Sequence, residues 1–205
     1  MSVFLFFVLF FSIPRLEYKY DNDYELYRVT KVYGDSVGFK IKDSGKKGNV
    51  GIIGVRAFYK KSIKKIIFEN PENIDTIERL AFSECKNLEN IDISNVKFFE
   101  RNCFSYCKKL KVEELNAIAI GASTFYGCEN IENIKFNTGL ISIGSYAFSK
   151  TKIEVIELPN TVKDIYNDAF SDMSELKEIK VYSEGLSNES KEYLSSLENV
   201  VVTYL

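Results

Sequence analysis

Residues 74–93 read IDTIERLAFSECKNLENIDI, with apolar or small side chains at Ile74, Ile77, Ala81, Phe82, Cys85, Leu88, Ile91 and Ile93. The same sentence returns between residues 140 and 158, as Leu140, Ile143-Gly144, Ala147-Phe148, Ile153, Ile156 and Leu158. Its fixed aromatic occurs six times, as Phe58, Phe82, Phe104, Phe125, Phe148 and Phe170, at intervals of 21 to 24 residues. A period of that length means a solenoid, in which one coil cannot bury its apolar side alone and must stack on its neighbours.

Aligning the copies on phenylalanine assigns a task to each column. Five residues earlier stands an apolar side chain, often followed by glycine: Ile53-Gly54, Ile77, Phe99, Ile120-Gly121, Ile143-Gly144 and Ile165. The glycine is expected to supply a turn with positive φ. One residue earlier the side chain is small (Ala57, Ala81, Cys103, Ala147, Ala169), with Thr124 the exception, so returning segments can pack closely. The block that follows, clearest as Leu88/Ile91/Ile93, Ile131/Ile134/Phe136 and Leu176/Ile179/Val181, ends in a period-two alternation. That alternation predicts short strands that pair in parallel about 4.8 Å apart on one face. The phenyl rings then form a structural ladder through the centre. In the third copy, strict spacing would turn Glu113 inward, so the strand is expected to slip and bury Val112 instead.

The chain has 205 residues, 45% of them hydrophobic and 14% aromatic, enough for one elongated domain. It holds no histidine, which removes Ser-His and Cys-His nucleophiles and the usual zinc-hydrolase ligand sets. No cofactor and no metal are expected, and the chain is not read as an enzyme. The net charge of −2 argues against nucleic acid as a partner. Charge is unevenly spread: residues 15–65 hold 13 Lys and Arg against 6 Asp and Glu, and residues 66–205 hold 14 against 23.

The ends depart from the repeat. Val3–Phe11 is an uninterrupted apolar run of nine residues, the size of a signal-peptide core and short of the roughly 20 that span a bilayer. Residues 1–14 are therefore expected to be an export signal, leaving no integral membrane span in the mature chain. Residues 15–49 are expected to form a β-rich cap with hairpins at Tyr33-Gly34-Asp35 and Ser44-Gly45. Residues 50–182 carry the repeats. Residues 183–205 should form a second cap, a helix over Asn188–Ser196 followed by a strand over Val200–Tyr204. The whole is an α/β solenoid of about six coils.

The pattern carried by Ile143-Gly144, Ala147-Phe148, Ala81-Phe82, Cys85, Leu88, Ile91 and Ile93 resembles the BspA-like leucine-rich repeats of bacterial and protist surface proteins. That resemblance implies a secreted or cell-surface adhesion or recognition scaffold, with a protein or glycan ligand, a host surface or matrix among them. The chain differs from the family pattern in lacking a membrane-spanning tail and in having a proline after the strand only at Pro159.

In such a solenoid, residues between the inward strand positions share an outer face. Asn90, Asp92, Asn133, Lys135, Glu157, Glu178, Lys180 and Tyr182 are the candidate ligand contacts, with a plain solvated surface as the alternative. Cys85, Cys107 and Cys128 fall in one column and read, with Cys103, as buried free thiols, although a bridge between coils, or from Cys103 to Cys107 if that segment is helical, is sterically open. Lys60, Lys61, Lys64 and Lys65 could meet an acidic glycan or lipid headgroup, or simply be solvated. Asp21-x-Asp23-x-Glu25 lacks the glycine a calcium loop needs, since residue 26 is Leu26. Asn188-Glu189-Ser190 is an N-glycosylation sequon for an exported chain. Two rival functions follow. One is a carbohydrate-active enzyme, which needs carboxylates facing each other across a groove. The other is an intracellular scaffold, if the N-terminal run is not a signal.

Overall fold

The computed structural model describes residues 14–23, 25–34, 36–42, 49–182 and 184–205. The apolar run Val3–Phe11 and the Ser44-Gly45 turn lie outside them. The described chain is a solenoid of about seven turns, mostly sheet and turn. The helical half of the α/β expectation is corrected: the α-helix among the described residues is α1 (Asn188–Ser195), eight residues long. Turns, not helices, carry each coil from one sheet to the next.

Strands occupy two faces, where one was expected. The first face is an eight-stranded sheet in the order β1 (Arg15–Asp21), β2 (Leu26–Tyr33), β4 (Val50–Ile53), β6 (Thr76–Ile77), β7 (Phe98–Phe99), β9 (Ala119–Ile120), β11 (Ser142–Ile143) and β13 (Asp164–Ile165). Its parallel register sets Ile53 beside Ile77, then Phe99, Ile120, Ile143 and Ile165. These side chains all point inward and are buried. The strands are built by the column read as a lead-in to the glycine turn.

The second face, built by the alternating block, is in pieces. β3 (Gly38–Ile41) pairs with β5 (Lys65–Phe68), and β8 (Glu114–Leu115) pairs with β10 (Lys135–Phe136). β12 (Val155–Leu158), β14 (Glu178–Val181) and β15 (Val201–Tyr204) form a three-stranded sheet. Coil two contributes only a bridge from Asn90 to Lys65. In coil three Val112 is buried and Glu113 exposed, so the strand does slip.

Between the faces run the six stacked phenylalanines, with ring centroids 4.8, 5.1, 5.8, 5.5 and 6.3 Å apart in turn. The first five are fully buried. Each phenylalanine N–H from Phe58 to Phe148 donates to the carbonyl of the small residue before the next phenylalanine, at 2.7–3.0 Å. That carbonyl approach is why the column is Ala, Cys or Thr. Cys85, Cys107 and Cys128 donate their thiols to the carbonyls of Phe58, Phe82 and Phe104, one coil back, at 3.0–3.2 Å. All four cysteines are free and buried.

The glycine column does not have the conformation expected. Gly54, Gly121 and Gly144 lack positive φ; a Cβ there would fall 2.5–2.7 Å from backbone of the preceding coil. Close approach demands glycine at these positions. Positive φ falls two residues either side of each phenylalanine, at Arg56 and Lys60, Leu80 and Glu84, and so on to Asp168 and Asp172. In the second of these columns only Gly127 is a glycine. Each side-chain-bearing residue held there carries about 1–2 kcal/mol of local strain.

The N-terminal end also differs from expectation, while the C-terminal end has the expected helix and strand. β1 pairs antiparallel with β2, whereas β3 pairs in parallel with β5. At the other end α1 stands in for a missing coil. Tyr193 stacks on Phe170 at 6.3 Å, and its hydroxyl accepts the Phe170 N–H at 2.8 Å. The Ser190 hydroxyl accepts from Ile165 N at 2.7 Å. One phenol and one alcohol thus replace the carbonyls that the next coil would have offered.

Candidate functional site

The residues expected to meet a ligand all lie at the surface of the second face, exposed or half-buried. The structure sorts them into three groups. Asn90 and Asp92 line a groove of about 660 Å³ with Lys65, Ile67, Glu113 and Glu114. Asn133 and Lys135 project from coil four, where Lys135 is in register with Glu114. Glu157, Glu178, Lys180 and Tyr182 lie on or beside the three-stranded sheet; Lys180 pairs with Glu157 at 2.9 Å, and Glu178 accepts a hydroxyl bond from Thr203 at 3.4 Å. The breaks between strands keep the three groups from forming one ruled surface.

A larger concavity lies on the other face, where no candidate had been placed. A cleft of about 780 Å³ opens on the outer side of the eight-stranded sheet. Its origin is local. In coils four and five the outward positions are Ala119, Gly121, Ala122, Ser142, Gly144 and Ser145, which build a low floor. In coil three the same columns hold Phe98 and Glu100, and in coil six Tyr166, which stand up as walls. Phe98 is 41% exposed and Tyr166 59%. The stretches AIAIGAS and SIGS carried this signal in the sequence, but it is visible only once their strand is known to exist.

The charged groups of the cleft lie toward its N-terminal end and fall into a paired and an unpaired set. Glu78 accepts the Val55 N–H at 2.9 Å and pairs with Arg28, which also binds Asp21 at 2.8 Å. Burial opposes the Arg28 charge, but the bonds to Asp21 and Glu78 outweigh it and raise its pKa. Glu100 accepts the Arg79 N–H at 2.8 Å, and Asp75 accepts the Thr76 hydroxyl at 2.9 Å. Neither of these two carboxylates is in an ion pair among the described residues.

A third surface is aromatic. Tyr106 and Tyr126 meet edge to face at 5.2 Å, and Lys150 lies 5.0 Å from the Tyr126 ring. Hydrogen bonding to Lys150 lowers the Tyr126 pKa, while the bond to Tyr126 raises that of Tyr106. The basic cluster is partly compensated: Lys60 faces Glu84 at 3.4 Å, and Lys61 reaches the Gly34 carbonyl at 3.3 Å. Asn188 is exposed at the first turn of α1, but Ser190 of the same sequon is buried. Among the described residues no group of three or more His, Cys, Asp or Glu side chains could hold a metal ion, and no helix is long and apolar enough to cross a membrane.

Stacked parallel coils, each with one central aromatic and short strands on one or both faces, define a leucine-rich repeat solenoid. The chain belongs to the BspA-type leucine-rich repeat family, which it matches in six copies over residues 40–118 and 112–203. Among solved structures it resembles a leucine-rich cell surface protein of Faecalibacterium prausnitzii, with a TM-score of 0.68 and 20% identity over 84% of this chain and 55% of that one. The Treponema pallidum leucine-rich repeat protein aligns at 0.56 and 20%, over 92% and 78% of the two chains. The pneumococcal vaccine antigen PcpA aligns at 0.58 and 14%, over 87% and 44%. The chain thus spans about half the length of the first of these, and at such identities the likeness is one of fold. No curated protein matches the sequence significantly.

Proposed function

We propose that this protein is a non-catalytic recognition module, secreted or displayed at the cell surface, that binds a protein or glycan partner through the outward residues of its repeat sheets. One observation carries the reading: six family repeats stacked on a continuous core present rows of outward side chains with which to meet a partner. Repeats of this family are typically non-enzymatic. The carboxylates a glycan hydrolase would need fit the rival poorly, since Asp92, Glu157 and Glu178 sit on separate coils and Glu157 is tied to Lys180. Nucleic acid fits no better with a net charge of −2.

On this reading Asn133 and Lys135 are the central contacts, with the groups around Asn90/Asp92 and Glu178/Lys180/Tyr182 as separate contact patches on the same face. An array of extracellular-matrix proteins and glycans, probed with the folded chain, should yield a binder that the double variant Asn133→Ala/Lys135→Ala weakens. Unchanged binding would remove that face from consideration. Export is tested separately, by sequencing the mature N-terminus from the source cell: a start beyond Val3–Phe11 supports it, and an intact run supports the intracellular scaffold.

A further inference from the structure

We infer that the cleft on the eight-stranded sheet is a second binding site, distinct from the face above, and that it takes an extended protein segment carrying a lysine or arginine beside an apolar side chain. The walls call for the apolar part. Phe98 and Tyr166 are large aromatic side chains left substantially in water on either side of a floor of Ala119 and Ser142, an arrangement that gains from burial when a side chain fills it. The rim calls for the cation. Asp75 and Glu100 bring two carboxylates without ion-pair partners among the described residues, and the one cation in the described lining, Arg28, is already held between Asp21 and Glu78. A positive group entering there meets uncompensated negative charge beside a low-dielectric wall, where attraction is strongest.

The dimensions suit a peptide. Asp75 belongs to coil two and Tyr166 to coil six, four coil spacings apart, or about 19 Å at about 4.8 Å per coil. An extended chain rising about 3.3 Å per residue covers that span with about six residues. A neutral glycan would match the aromatic walls but leave the carboxylates unanswered.

The test is selection of random phage-displayed peptides on the full chain, followed by affinity measurement of the enriched sequences. The expected winners carry Lys or Arg next to an aromatic or aliphatic residue. Ser142→Trp, which fills the floor from an outward position, should weaken them at least tenfold with the melting temperature retained. Asp75→Asn should weaken them several-fold, with less salt dependence than the parent. Should Ser142→Trp not fold, Ala119→Gln fills the same floor. Asn133→Ala/Lys135→Ala should leave peptide binding intact, so this site and the proposed recognition face stand or fall separately. Absence of enrichment, enrichment of neutral or acidic peptides, or full affinity in both floor variants would overturn the inference.

Discussion

The two faces of the solenoid are made by the same coils, yet one is an unbroken eight-stranded sheet and the other three fragments. The unbroken face uses strands only two residues long over most of its length, with modest sequence signal. The broken face uses the conspicuous L-x-x-I-x-I block. Spacing explains the inversion. The inward residue of the first face always lies five positions before the phenylalanine. On the second face the first inward residue of the strand lies eight positions after it at Ile66 and Ile156, and nine at Ile91, Ile134 and Ile179. Ladder pairing needs matched register, so constant distance from the stacked ring matters more here than β-propensity. The pairing of Ile156 with Ile179 shows that one such offset can be absorbed.

The largest expected effect comes from the element both faces share. Phe104→Ala should cost about 3–5 kcal/mol in chemical denaturation, because rings held 5.1 and 5.8 Å away cannot collapse into the gap. A loss below 1 kcal/mol would show that the ladder does not join the faces.

Gly144→Ala probes the unbroken face alone. A Cβ there would lie 2.5 Å from the Ala122 nitrogen, so the coil must shift, at about 1–3 kcal/mol. Glu157→Ala on the broken face removes an exposed ion pair, which contributes about 0–1 kcal/mol at most. Equal melting temperatures for these two variants would erase the contrast drawn between the faces.

Tyr193→Phe leaves the buried Phe170 N–H without its acceptor, at about 1–3 kcal/mol. The same residue gives a pH signature. Burial raises its pKa to about 12, so its contribution is complete below the ordinary phenol value near 10 and declines as pH climbs toward 12. Tyr193→Phe should show a shallower loss of stability across that window. Burial likewise lifts the Cys85 thiol to about 12. A thiol reagent at pH 8 should therefore find no reactive cysteine in the folded chain and four after unfolding without reductant.

The smallest effect tests the strained turns between the faces. Ser123 sits at φ 55°, and Ser123→Gly should stabilise by up to about 1 kcal/mol as relieved strain outweighs the added freedom of the unfolded chain. A destabilised variant would mean that the left-handed column is not strained.

Much of the fold was legible because the repeat reports its own alignment. Phenylalanine, the small residue before it, the cysteine column, the slip at Val112, and the helix and strand at the C-terminal end can each be read from type and spacing. The eight-stranded sheet was not, because a two-residue strand has no periodicity of its own to display. The glycines were noticed and given the wrong cause, since a sequence cannot distinguish a residue needed for positive φ from one needed for close approach. The cleft went unseen for the same reason: a run of small residues becomes a floor only when Phe98 and Tyr166 are known to rise on the same surface.

By itself the sequence determined that this chain winds into stacked coils around an aromatic axis, because burying one ring every 21 to 24 residues leaves no other economical arrangement. Only the tertiary structure decided which stretches become sheet, which backbone positions turn left-handed, and where a hollow opens. Those outcomes depend on how far each coil lies from the next, a distance no single coil encodes.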